Sequence, residues 1–158
     1  MNHTIGIADM AVSKSRDEVL VTYALGSCVG VTIYDPVVGV GGLIHCMLPL
    51  SKIDPVAARD NPYKFVDTGV PMLFHSAYRL GARKERIVVK VAGGAKMHDA
   101  EGRFRIGERN YAVLRKILWK NNVLIQSEDV GGTVSRTMSL EIATGRVLVK
   151  SKGTVKEL

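Results

Sequence analysis

Residues 19–49, VLVTYALGSCVGVTIYDPVVGVGGLIHCMLP, constrain the fold more than any other stretch of this chain. Two runs dense in β-branched residues, 19–25 and 29–34, flank a Gly26-Ser27-Cys28 break, and a third, 38–48, follows Asp35-Pro36. Apolar, β-branched runs bounded by Gly, Pro and Asp form strands. Asp at the first position and Pro at the second favour a type I turn over residues 35–38. An antiparallel hairpin closed by that turn puts Cys28 directly opposite His45 on one face. Directly opposed Cβ atoms lie about 4.5–5.5 Å apart, a range in which a thiol and an imidazole can share a proton. A slip of one residue pairs Cys28 with Ile44 or Cys46 instead and turns His45 to the other face. Gly39, Gly41 and Gly42 offer places for a bulge that would cause such a slip.

The rest of the chain supplies the partners for this hairpin. Residues 5–12 read as an opening strand and 13–18 as a polar turn. Residues 51–63, SKIDPVAARDNPY, read as a surface loop. Val66, Val70, Leu73, Ala77 and Leu80 recur at helical spacing up to Gly81; Thr68 as N-cap would put Pro71 at the third helical position, where no N–H bond is needed, whereas a helix starting earlier would kink there. Residues 86–92 alternate into a buried strand that ends in Gly93-Gly94-Ala95, followed by a polar loop over 96–105. A second helix is expected over 107–120, with Ile106, Val113, Leu114, Ile117 and Leu118 inward and Asn121-Asn122 closing it. Residues 123–127 form a strand, 137–142 and 146–150 a hairpin, and the tail from Ser151 frays. Strands outnumber helices, which is an α+β or mixed α/β pattern. At 158 residues the chain reads as one domain spanning 1–158, able to bury a core.

Composition narrows the function classes. No apolar run reaches the length of a membrane span, so direct membrane insertion is not expected. The first ten residues lack a basic region followed by an apolar stretch, so no secretory signal is expected. Two cysteines in a chain of this length make no disulfide framework, and the expected compartment is the cytoplasm. The net charge of +7 points to an acidic partner, or to plain solubility. Basic clusters at 79–86, 103–109 and 150–156 lack the aromatic interleaving of a single-strand binding platform, so nucleic acid is not the expected partner.

Cys28 has two readings: a small apolar strand residue, or a nucleophile. The second gains from Gly26, which permits a sharp turn and the close approach of a substrate. Backbone N–H groups at Ser27 and Cys28 could face an oxyanion. His45 adds a neighbour able to depress the thiol's pKa and protonate a leaving amine. His45 itself is either a core histidine bonded to a carbonyl or that proton carrier. Alone among the four histidines it is flanked by apolar strand residues, whereas His3, His75 and His98 read as surface residues. A Cys–His pair usually needs a third group to hold the ring. Thr22 on the preceding strand offers a hydroxyl, though threonine is common in strands for its shape alone. Cys46 reads as packing, because a regular strand points it away from His45. A metal site built from Cys28, His45 and Cys46 would need both faces of one strand and is rejected. Gly93-Gly94 is either a tight strand exit or a backbone wall beside a pocket.

With GSC, HCMLP, AGGA, IGERN and DVGG in that order, the sequence resembles the CheD family of chemoreceptor glutamine deamidases over nearly its whole length. The spacing of Thr22, Cys28 and His45 matches the family's Cys–His–Thr triad. The resemblance implies a fold similar to toxin-type glutaminase domains, two mixed β layers with helices packed outside. It also implies hydrolysis of particular glutamine side chains to glutamate on the cytoplasmic helical bundle of methyl-accepting chemotaxis receptors, without a cofactor. Cys28 would attack the amide, Ser27 and Cys28 would hold the oxyanion, and His45, oriented by Thr22, would carry the proton. Gly26, Gly93, Gly94, Ala95 and Asn110 would be walls of the substrate cleft. Family members are also bound by CheC-type phosphatases, so the alternative is a non-enzymatic docking partner that regulates such a phosphatase.

Overall fold

The structure, a computed structural model, describes residues 1–97 and 105–158. Two five-stranded sheets stack face to face. The first has the order β1-β3-β8-β9-β10, formed by Asn2–Thr4, Val19–Leu25, Arg136–Glu141, Val147–Ser151 and Thr154–Glu157. The second has the order β2-β5-β4-β6-β7, formed by Met10–Ser13, Val40–Cys46, Val29–Asp35, Val88–Gly93 and Ile125–Val130. Both are mixed, each with one parallel pair, β1 with β3 and β6 with β7. The short α1 (Pro55–Asp60) precedes two longer helices, α2 (Val66–Arg79) and α3 (Ile106–Lys120). The longer two pack on the outer face of the second sheet, α2 against β5 and α3 against β4 and β7. This is the α+β architecture expected. No helix among the described residues is long and apolar enough to cross a membrane.

Two apolar layers follow from strand alternation. On β4, Val29, Val31 and Ile33 face the helices and join Val70, Leu73 and Leu114 in one core. The intervening positions face the first sheet, where Leu20, Leu25, Met138, Leu140 and Ile142 form the other. A Cβ on Gly30 would meet the tips of Leu25 and Met138 at 2.8 and 3.0 Å, so the sheets approach too closely there for any side chain. Fully burying a large aliphatic residue stabilises by about 1.5–3 kcal/mol, and both layers are built almost wholly of such residues.

Several expectations change. The opening strand over 5–12 is two strands. The chain leaves the first sheet after Ile5 and turns through Ala8, whose φ is 58°, to join the second as β2. Residues 51–63 are not an open loop but a short 3-10 turn, α1 and a second 3-10 turn. Asp54 and Asn61 cap these elements by accepting from the N–H groups of Ala57 and Tyr63, each with a proline in the following position. Thr68 is not the N-cap of α2. That helix starts at Val66 behind Phe65, which places Pro71 in its interior, and the Thr68 hydroxyl donates to the Pro62 carbonyl at 2.6 Å. The tail does not fray: Lys152 and Gly153, both with positive φ, make the two-residue turn that pairs β10 with β9. The polar loop over 96–105 falls mostly outside the described residues, as does His98.

The hairpin register also differs. Asp35 pairs with Val40 and Gly30 with His45, two residues along from the expected alignment. The loop takes in Pro36–Gly39 because the Gly39 N–H reaches the Asp35 carbonyl at 2.9 Å, with Gly39 at φ 69°. The tip is locked by the buried Asp35 carboxylate. It accepts from Val37 N–H and Arg83 N–H, each at 2.9 Å, and pairs with the Arg86 guanidinium at 2.9 Å.

Candidate active site

β3 lies in the first sheet and β4 in the second, so Gly26-Ser27-Cys28 is the segment where the chain crosses between them. Just before it the β3–β8 register breaks between Thr22 and Leu25, and Ala24 sits at φ 60°. A non-glycine residue in that region stores about 1–2 kcal/mol of strain, and such strain collects at sites of function. The crossing is fastened to the end of β6. Gly94 N–H donates to the Cys28 carbonyl at 2.9 Å, and Ala95 N–H to the Gly26 carbonyl at 2.8 Å. Gly93, at φ 104°, comes so close that a Cβ there would overlap the Cys28 carbonyl oxygen. Arg136, buried and paired with Asp129 at 3.4 Å, donates to the Gly93 carbonyl from behind.

Register and alternation place the thiol and the ring. His45 lies opposite Gly30, and Cys28 is two residues before Gly30. A shift of two preserves the face, so the two side chains share the layer between the sheets but are diagonal rather than directly opposed. Diagonal Cβ atoms lie about 7–8 Å apart, a gap that a thiol and an imidazole can span. Cys28 is half-buried and packs at the edge of the inter-sheet core. Cys46 points the other way, into the core beneath α2, where burial raises its thiol pKa far above the ordinary range. It is a packing residue, as expected.

His45 is fully buried and bridges the sheets through Thr22. Its Nδ1 lies 2.7 Å from Thr22 Oγ1, which in turn lies 2.8 Å from the Ile5 carbonyl oxygen. A carbonyl only accepts, so the single hydroxyl proton goes to Ile5, and the hydroxyl oxygen accepts from the ring. The network therefore assigns the neutral ring's proton to Nδ1 and leaves a lone pair on Nε2. That atom is buried and has no partner among the described residues. Burial pushes the ring's pKa down from 6.5 to about 4, so it is a neutral base at pH 7. Thr22, unlike a carboxylate, adds no negative charge to oppose that shift.

Of the residues expected around the site, Gly26, Ser27, Gly93, Gly94 and Ala95 meet at the crossing. Asn110 joins them from α3, donating to the Ser27 carbonyl. Gly26 faces Met97, and a shallow depression opens there between Ser27, Met97, Arg105 and Glu108. His3 and His75 are exposed. Sequence reasoning passed over Ile5, whose carbonyl sets the Thr22 proton, and the Arg136–Asp129 pair behind Gly93. Residues 5–12 read as one continuous strand, and a backbone acceptor leaves no mark in side-chain chemistry.

The family model described as CheD chemotactic sensory transduction matches residues 47–151. A protein of Solibacter usitatus named "probable chemoreceptor glutamine deamidase CheD" is 51% identical over 154 residues, covering 98% of this chain and 91% of its own. A Syntrophus aciditrophicus protein of the same name, CheD 1, is 54% identical over 149 residues, covering 94% and 93%. A Pyrococcus horikoshii protein of that name is 42% identical over 148 residues, covering 92% and 90%. The three alignments each run over more than nine-tenths of the chain.

Proposed function

The chain belongs to the CheD family, and from that membership we propose that it is a protein-glutamine glutaminase acting on chemoreceptors. Its substrates are glutamine side chains on the cytoplasmic helical bundle of methyl-accepting receptors, and its products are glutamate and ammonia. The net charge of +7 suits an acidic partner of this kind.

In the mechanism we propose, His45 Nε2 takes the proton from the Cys28 thiol, and the sulfur attacks the carboxamide carbon. Backbone N–H groups along Ser27-Cys28 hold the oxyanion. The tetrahedral adduct collapses as Nε2–H gives its proton to the departing nitrogen, releasing ammonia and leaving a thioester on Cys28. Nε2 then accepts a proton from water, and the hydroxide attacks the thioester. Glutamate leaves, and the proton returns to the sulfur. Covalent catalysis divides one hard amide cleavage into two easier acyl transfers. Gly26, Gly93, Gly94 and Ala95 form the walls that a substrate side chain must pass.

The observation that carries this reading is the buried Nε2 of His45, a neutral base on the same face of the hairpin as the thiol, with its proton placed on Nδ1 by Thr22 and Ile5. The test is mass spectrometry of a receptor cytoplasmic fragment incubated with the protein, where each conversion adds about 1 Da to an identifiable peptide. The wild type should produce these shifts and Cys28→Ala none. Conversion at the normal rate by Cys28→Ala would remove the nucleophile assignment. No conversion by the wild type would leave the docking role on a CheC-type phosphatase as the better reading.

A further inference from the structure

We infer that Asn110 is a positioning residue, which ties together the two backbone segments carrying Cys28 and His45. The inference rests on the proposed mechanism for its meaning, though its central measurement does not require turnover. α3 approaches the crossing through Gly107, where a Cβ would overlap the Ala95 carbonyl oxygen. That contact brings the first turn of the helix onto the segment behind Cys28. One turn further, on the same face, Asn110 is fully buried. Its Nδ2 donates to the Ser27 carbonyl at 2.9 Å and to the Met47 carbonyl at 3.0 Å. Ser27 precedes Cys28, and Met47 lies two residues after His45.

Both protons of the amide nitrogen are thus spent on carbonyls from opposite strands of one hairpin, at its open end. The orientation is fixed, because a flipped amide would set oxygen against two carbonyl oxygens. Oδ1 is buried with no partner among the described residues. A buried amide that satisfies only its nitrogen is a poor source of stability, and such a group calls for another explanation. Holding the sulfur and the ring in mutual register supplies one. At the closed end of the same hairpin, Asp35 does the comparable work for the loop through Arg83 and Arg86. The hairpin is pinned at both ends, and only one pin touches the site.

The experiment compares Asn110→Ala, Asn110→Asp and Asp35→Asn with the wild type in three measurements: thermal midpoint, steady-state deamidation, and the pH profile of Cys28 alkylation by iodoacetamide. Cys46 is fully buried and stays silent in the last of these. Both Asn110 variants should fold, lose roughly 10- to 100-fold in kcat with little change in KM, and show a displaced alkylation midpoint. Asp35→Asn should lower the thermal midpoint while keeping the wild-type alkylation profile. Folded Asn110 variants with wild-type kcat and profile would overturn the inference, as would the same displacement in Asp35→Asn. Failure of both Asn110 variants to fold would also overturn it, since a local tie does not hold up the whole chain. Absence of deamidation in the wild type would refute the proposed function, while the alkylation profiles would still decide the role of Asn110.

Discussion

Thr22→Val tests the proton assignment at His45. Valine has the shape of threonine, so the packing at this fully buried position survives and only the hydroxyl is lost. Two groups lose their partner together: the ring Nδ1–H, 2.7 Å away, and the Ile5 carbonyl, 2.8 Å away. Leaving each buried and unsatisfied costs about 1–3 kcal/mol, so the fold should lose about 2–6 kcal/mol. Without the hydroxyl nothing holds the ring's proton on Nδ1, so the Nε2–H tautomer, which has no lone pair to take the thiol's proton, becomes accessible. If restoring the productive tautomer costs about 2 kcal/mol, the rate falls about 30-fold. Two assays are needed, initial rates of ammonia release from a receptor fragment and nitrogen-15 NMR of the imidazole. The wild-type spectrum should show a protonated Nδ1 and a bare Nε2. Thr22→Ser should keep both the spectrum and most of the rate. His45→Ala should lose far more than Thr22→Val, about 10²–10⁴-fold, because it removes the proton carrier itself. A folded Thr22→Val with a rate within about twofold of wild type would refute the assignment.

Two further outcomes follow from the same geometry. Because burial holds the folded-state pKa of His45 at about 4, below its ordinary 6.5, the unfolded chain takes up a proton between those values that the folded one refuses. Its contribution is intact above pH 6.5 and falls by about 1.4 kcal/mol per pH unit down to about pH 4, roughly 3 kcal/mol in all; urea titrations should show this slope, and His45→Gln should flatten it. Gly93→Ala should destabilise by about 3 kcal/mol and abolish turnover, because a side chain at φ 104° would both strain the backbone and displace the Cys28 carbonyl; thermal melts and ammonia release check it, and a stable, active variant would refute the close approach.

How much of this was readable in the sequence depended on how local each signal was. Val19–Leu25 was identified to the residue, because its pattern and its Gly26 boundary lie in one window. The shared face of Cys28 and His45 was right although the turn was wrong, since a shift of two conserves the alternation while a shift of one destroys it. What sequence could not show was the step of the chain from one sheet to the other at Ala8, because the partners of β1 and β2 lie far along the chain. That step puts the Ile5 carbonyl beside Thr22. The Asp54-Pro55 and Asn61-Pro62 pairs, by contrast, were cap signals in plain view, hidden by the polarity around them. Asn110 read as a cleft wall because a helix face alone does not reveal which distant carbonyls it meets.

The covalent step is tested most directly by adding hydroxylamine to the reaction of wild-type protein with a receptor fragment. A thioester on Cys28 partitions between water and hydroxylamine, so peptides gaining about 1 Da should be progressively replaced by hydroxamates gaining about 16 Da. The total loss of glutamine should stay constant as this happens. If glutamate remains the sole product at every hydroxylamine concentration, water attacks the amide directly and no acyl group ever rests on Cys28.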